Sequence, residues 1–336
     1  MKKKLAVMAL AAATLSMMAM PVYADDLVTV GYAQVGHESD WRTANTQNYQ
    51  DVFSEDAGYS LDLVDCDNDN AAQLEAVRTF ISKDMDYIVI APIQSAGWDT
   101  VLQEAQDAGI PVIIADRQVK VKDDSLYTTW VGADFYQEGQ KACSWMEQYA
   151  ERNKKKTLNI VHIMGTEGAT AQIGRTKALE EAAKKNGWNI LEQQTGAFTQ
   201  AKSHEVMEEY LKKYKDIDMV YCENDSEALG AINAIEQAGK KVGTDGIQII
   251  SFDATREGLA EVQNGKIAVD VECNPDFGKK IEKIIKQLEY KRDVNKEYYI
   301  GDKIYTQNKS ISTIEIEKAK WSVTVVTDKI VKERVY

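Results

Sequence analysis

GYAQVGHESDWR, running from Gly31 to Arg42, ends an apolar strand and begins a helix across one polar turn. Val28 to Val35 is apolar enough for a buried strand, and Ser39 and Asp40 are N-cap types ahead of a run through Tyr49, Val52 and Phe53. Gly58 is expected to stop that helix. Strand, polar turn and helix in this order begin an α/β unit, and ligands bind such sheets outside the carboxyl ends of the strands. Glu38, Trp41 and Arg42 therefore stand where a ligand is expected. An indole beside a guanidinium and a carboxylate suits a sugar, whose ring face stacks on the aromatic while planar charged groups take its hydroxyls. The same string also reads as a capped helix start with a core tryptophan and a surface arginine.

Outward from this turn, the first 24 residues read as an export leader. Lys2, Lys3 and Lys4 precede an apolar run from Leu5 to Met20, and Val22-Tyr23-Ala24 is a small-residue cleavage site. Cleavage would leave 312 of the 336 residues and take the net charge from −13 to −16, because the leader's only charges are three lysines. So acidic a chain is a poor partner for nucleic acid or an anionic membrane. No other apolar run approaches the roughly 20 residues of a membrane span, and no cysteine follows the leader to carry a lipid. A free protein in the periplasm or extracytoplasmic space is expected, with enough chain for two cores. Cys66, Cys143, Cys222 and Cys273 are too scattered for a metal motif and read mainly as core residues, one disulfide remaining open.

Along the chain, Leu61 to Val64 is a second strand followed by Asp65-Cys66-Asp67-Asn68-Asp69-Asn70. Counted as a calcium loop, this run has Asn70 where glycine is required and Ala76 where a bidentate glutamate is required. Asn70 and Gln73 read instead as a capping box. Tyr87 to Ala91 and Pro111 to Ala115 are continuous apolar strands of the doubly buried kind. The second delivers Asp116 and Arg117, two opposite charges that are costly to place at a buried strand end unless something polar is bound. Leu126 to Val131 is a further strand, and a helix then runs to the lysines at 154–156.

From Leu158 the pattern restarts as a second α/β unit. Its strands at Leu158 to Met164, Asn189 to Glu192, Met219 to Tyr221 and Ile247 to Phe252 bring Arg175, Phe198, Asn224 and Asp253 toward one edge. The turn from Gly165 to Ala169 lacks both the lysine of a P-loop and dinucleotide spacing. Ile267 to Glu272 is another strand, and a helix follows Pro275. Past Tyr290, Tyr298 to Tyr305 is a candidate strand, and Trp321 to Val326 alternates like an edge strand.

The order of elements, with GHESDWR, ADRQ, GRTKAL, GAFTQ, ENDSEALGAINAIEQAG and SFDA, resembles the periplasmic sugar-binding proteins of ABC transporters, in the ribose-binding class, over roughly Leu27 to Leu288. The likeness is strongest to the galactofuranose-binding branch, whose first turn reads SESGWR where this chain has HESDWR. It implies a type I periplasmic binding protein: two Rossmann-like, doubly wound α/β lobes joined by a three-segment hinge and closing on a monosaccharide. Lobe boundaries at 25–131 with 274–305, and 132–273 with 306–336, follow. Trp41 and Phe198 would be ring-stacking aromatics. Asp116 and Arg117 would hold hydroxyls from one lobe, and Arg175, Asn224 and Asp253 from the other, with Glu272 near a crossover. The partners implied are a monosaccharide and ABC permease subunits, for a monomer without metal, cofactor or nucleic acid.

A sensory protein presenting ligand to a membrane receptor is the alternative on the same fold. A sugar-acting enzyme would need a carboxylate pair; Asp116 and Asp253 could be imagined in that role, but an arginine beside each is expected to keep it ionised. A repressor of similar shape is excluded by the leader and the missing DNA-binding headpiece.

Overall fold

The computed structural model describes residues 27–336, and the leader read at Met1–Ala24 lies outside them. Strands β1 (Val28–Gln34), β2 (Tyr59–Asp65), β3 (Tyr87–Ile90), β4 (Val112–Ala115) and β5 (Thr129–Ala133) alternate with helices α1 (Asp40–Val52), α2 (Asn70–Ser82) and α3 (Asp99–Asp107). The second unit runs α4 (Phe135–Arg152), β6 (Asn159–Met164), α5 (Thr170–Asn186), β7 (Asn189–Thr195), α6 (Gln200–Lys213), β8 (Met219–Cys222), α7 (Asp225–Gln237), β9 (Gln248–Asp253), α8 (Arg256–Gln263) and β10 (Ile267–Glu272). Then come α9 (Gly278–Glu289), β11 (Glu297–Ile300), β12 (Ile304–Thr306), the hairpin β13 (Thr313–Ile316) and β14 (Ala319–Ser322), β15 (Thr324–Val325) and α10 (Asp328–Glu333).

Both sheets are wound the same way. The first has the order β11-β5-β4-β3-β1-β2 and the second β15-β12-β10-β9-β8-β6-β7. Pairing in the first is parallel throughout, while β12 adds to β10 antiparallel. Burial on both faces explains why YIVI and VIIA are unbroken apolar runs. One core, including Ile88, Ile113, Trp98 and Phe277, serves the first lobe. Two cores flank the second sheet, around Trp145 and Phe252 on one face and Met207 and Ile232 on the other. The chain passes between sheets three times: after β5, between β10 and α9, and between β11 and β12. This is the two-lobed α/β architecture with a triple crossover.

Several local readings need correction. α1 ends at Val52, and Gly58 instead terminates a separate short turn at Glu55–Ala57. α2 is capped by Asp69, whose carboxylate accepts from Ala71 and Ala72 N–H. Gln73 is no capping residue: it donates to the Ala33 and Ala91 carbonyls and accepts from Ile93 N–H, tying the carboxyl ends of β1 and β3. The stretch at Leu126 is a short turn, with the strand beginning at Thr129. Tyr298 to Tyr305 is two strands in different sheets, and Ile304–Thr306 pairs with Val269–Val271, so Ile304 and Tyr305 belong to the second sheet. Trp321 to Val326 is likewise divided between β14 and β15. All four cysteines are buried free thiols.

Candidate ligand-binding cleft

The carboxyl ends of the two sheets face each other across a small cavity. It is lined by Glu38, Trp41, Arg42, Asp116, Arg117, Arg175, Phe198, Asn224 and Asp253, together with Ser39, Phe135, Ala171 and Cys273. Nine of the ten side chains singled out in the sequence thus meet at one place. Glu272 does not join them: it faces away, accepting from Lys303 N–H at 3.0 Å and from Arg334 at 2.6 Å.

On the first wall, Ser39 caps α1 by accepting from Arg42 N–H, and one turn of that helix points Glu38 and Arg42 at the end of β4. Arg42 donates to Asp116 at 2.6 Å and to Glu38 at 3.3 Å, while Arg117 donates to Glu38 at 2.5 Å. The four charges cancel and all are buried. Burial pulls down the Arg117 guanidinium, with Glu38 opposing. Three atoms of this cluster, Glu38 Oε2, Arg42 Nη1 and Arg117 Nη1, are buried without a hydrogen-bond partner, a costly condition for charged groups. Trp41 lies against the Arg42 guanidinium at 4.7 Å, and its indole N–H donates to the hinge carbonyl of Cys273 at 2.5 Å.

On the second wall, Arg175 donates to Glu138 at 2.9 and 2.7 Å, to the Glu223 carbonyl, and approaches Asp253 at 3.7 Å. Phe252 and Phe135 flank its guanidinium at 4.7 and 5.4 Å. Burial lifts the Asp253 carboxyl well above the usual carboxylate range, against the pull of Arg175. Desolvation thus works against the arginine expected to hold Asp253 ionised, whose guanidinium stands 3.7 Å away. Asn224 is the N-cap of α7, accepting from Glu227 N–H at 2.8 Å and donating to the Phe198 carbonyl at 3.2 Å. Its polar atoms mainly build the wall. Phe198 fits because Gly165 is bare: a methyl there would overlap the ring. That glycine makes room for the aromatic.

Asp116, Ala197, Phe198, Asp253 and Ala254 all have left-handed backbones, with φ of 62°, 54°, 59°, 104° and 55°. Each such residue costs about 1–3 kcal/mol unless its surroundings impose the shape. Here Glu227 accepts from the N–H groups of Phe198 and Glu223, both at 2.9 Å. Across the mouth, Ser95 N–H donates to the Gly168 carbonyl at 3.1 Å and Gln118 N–H to the Thr170 hydroxyl at 2.9 Å. The lobes are closed on each other.

A periplasmic binding protein domain model matches residues 30–295. The chain belongs to the periplasmic binding protein family. It is 39% identical over 282 residues to the galactofuranose-binding protein YtfQ of Escherichia coli, covering 82% of this chain and 86% of that protein. A solved protein from Mycobacterium smegmatis in complex with β-D-fucofuranose is 40% identical at a TM-score of 0.80, covering 84% of this chain and 92% of that one. The periplasmic component of the arabinose ABC transporter from Shewanella sp. ANA-3, bound to arabinofuranose, is 36% identical at a TM-score of 0.77, with 84% and 93% covered. These relatives are substrate-binding proteins.

Sequence reasoning missed Phe135, Cys273 and Glu138. The first two follow the carboxyl ends of β5 and β10, so the rule that flagged Asp116 and Asp253 reaches them as well. Glu138 carried no signal, since an acid one turn into a helix reads as a solvated position.

Proposed function

We propose that this protein captures one neutral monosaccharide, in the furanose form taken by its relatives, and hands it to an ABC permease outside the cytoplasm. The observation that carries the reading is the set of three partnerless buried atoms on Glu38, Arg42 and Arg117, two donors and one acceptor within a charge-balanced cluster. Sugar hydroxyls serve donor and acceptor at once without adding charge. A carboxylate or phosphate ligand would meet Glu38, Asp116 and Asp253, and a cation would meet three arginines.

In this reading Arg42, Asp116 and Arg117 hold hydroxyls from one lobe, Arg175 and Asp253 from the other, and Trp41, Phe198 and Phe135 border the ring. Asn224 adds one spare N–H, and Glu272 acts at the hinge instead of on the sugar. The lobes comprise 25–131 with 274–305, and 132–273 with 306–336, adjusted so that Ile304 and Tyr305 join the second. The leader at Met1–Ala24 exports the protein, and it works as a monomer by binding without turnover. Among the described residues no helix is long and apolar enough to cross a membrane.

A thermal-shift panel of the mature protein with D-galactose, D-fucose, L-arabinose, D-ribose and D-fructose tests the proposal, since a ligand of the folded state alone raises the melting temperature. A rise with one or two furanose-forming sugars is expected. A flat response to all five, from protein refolded to remove any carried ligand, would overturn it.

A further inference from the structure

Beneath the cleft, two carboxyl groups without a cation lie side by side. Asp225 begins α7 and Asp270 sits within β10, with 1% and 0% exposure. Each holds one end of the turn that carries Asp253. Asp270 Oδ1 accepts the Ala254 N–H at 3.1 Å. Asp225 Oδ2 accepts the Thr255 N–H at 2.7 Å and its hydroxyl at 2.8 Å, while Oδ1 accepts from Ser251. The turn needs such holding because Asp253 and Ala254 are consecutive left-handed residues. Gly258 makes room for the arrangement, since a side chain there would overlap the Asp225 carboxylate.

Asp270 Oδ2 is buried and receives no N–H or O–H from any other side chain among the described residues. What faces it is the Asp225 carboxyl. Two acceptor-only groups in contact repel unless one carries a proton and becomes a donor. The surrounding groups do not relieve this: Asp253 comes from β9, Cys222 from β8, Glu223 from the turn after β8, Glu227 from the first turn of α7, and Tyr305 from β12. The guanidinium that reaches Asp253, Arg175, is engaged by Glu138 and Asp253.

We propose that Asp225 and Asp270 share one proton, and that the protonated pair is a positioning device holding the Asp253–Thr255 turn in its ligand-facing shape. This rests on the reading of Asp253 as a sugar ligand. Burial raises both carboxyls from their ordinary range, and Asp225 raises Asp270 further. An unfolded aspartate titrates near about 3.9, so the folded chain keeps a proton that the unfolded chain releases. The pair's contribution is whole below that value and disappears as pH rises through the folded titration. Such pairs titrate as a unit.

The test compares wild type with Asp270→Asn, which keeps an acceptor for Ala254 N–H and supplies a permanent N–H to Asp225. Without sugar, the melting temperature of wild type should fall relative to that of Asp270→Asn between pH 6 and pH 9.5. By calorimetry with D-galactose, D-fucose and L-arabinose, Asp270→Asn should bind within about threefold of wild type at pH 7 and more tightly than wild type at pH 9.5. Asp270→Ala should bind about tenfold more weakly at pH 7, the loss expected when a buried donor is orphaned. Should Asp270→Ala not fold, the melting profiles of the other two proteins decide. Parallel pH profiles for wild type and Asp270→Asn would overturn the shared proton. Asp253→Asn binding as tightly as wild type would instead overturn the ligand role of Asp253. Failure of wild type to bind any of the three sugars would remove the positioning half, leaving the proton to the melting profiles.

Discussion

Arg117→Ala probes the cleft where its geometry is tightest. The guanidinium is 3% exposed, donates to Glu38 at 2.5 Å, lies 5.2 Å from the Phe198 ring centroid and keeps Nη1 without a partner. Its removal deletes a donor available to the sugar and leaves Glu38 and Asp116 against Arg42 alone. A hydrogen bond to a charged group contributes about 1.5–3 kcal/mol, so the dissociation constant should rise by about tenfold to 150-fold. The excess negative charge also favours the open form, adding to the loss. Isothermal titration calorimetry with the sugar that gives the largest thermal shift measures the effect, and the melting temperature of the free variant controls for folding. Arg117→Lys restores the charge without the planar fork and should recover only part of the affinity. An Arg117→Ala dissociation constant within threefold of wild type, at unchanged melting temperature, would refute the reasoning.

Two further outcomes follow from buried titratable groups. Asp302, in the last crossover, has its carboxyl pushed up to about 9 by burial and then by Glu138, with Lys141 at 3.8 Å opposing. Its folded value lies above its unfolded one, so its stabilising contribution is whole near pH 4 and is lost as pH climbs toward 9. Asp302→Asn mimics the neutral acid and should melt near wild type at pH 4 and progressively higher than wild type at pH 7 and pH 9; equal melting throughout would show that the group titrates normally. The cysteines give a simpler readout. Burial pushes the Cys66 thiol up to about 12, with Asp65 and Asp69 adding to it, and Cys143 and Cys222 are raised by burial as well. The native protein should therefore resist a thiol reagent, yield four thiols on unfolding, and melt at the same temperature with or without reductant. Two thiols after unfolding would reveal a disulfide.

The fold was legible because a parallel sheet buried on both faces writes itself as unbroken apolar strands, and Tyr87 to Ile90 and Val112 to Ala115 did so. The cleft residues followed from one topological rule about strand ends, which reached Asp116, Phe198 and Asp253 without any side-chain geometry. Direction was not legible. Whether Glu272 turns to the sugar or to Arg334 depends on a tail whose position local pattern does not encode. Nor was the effect of burial on charge legible. Arg175 next to Asp253 suggested an ion pair from charge alone, whereas burial pushes the carboxyl up against that pull. Gln73 had the spacing of a capping residue, but it bonds the ends of two strands, because Asp69 had already satisfied the helix start.

The closed cleft is strained at its surface and rigid one layer below. Five left-handed residues present the Asp116, Phe198 and Asp253 side chains, a shape that isolated turns of these sequences would abandon. The groups that impose it do not line the cavity: Glu227 holds the Phe198 turn, and Asp225 and Asp270 hold the turn at Asp253. A ligand entering such a site need not pay to order these turns, which matters because ordering loops and side chains is a main loss on binding. Few hydrogen bonds close it, among them Ser95 to Gly168, Gln118 to Thr170 and Trp41 to Cys273, which span lobe or hinge. The division of labour follows from these contacts. The second wall is preformed from beneath, while the few hydrogen bonds between walls leave the open–closed balance to the ligand.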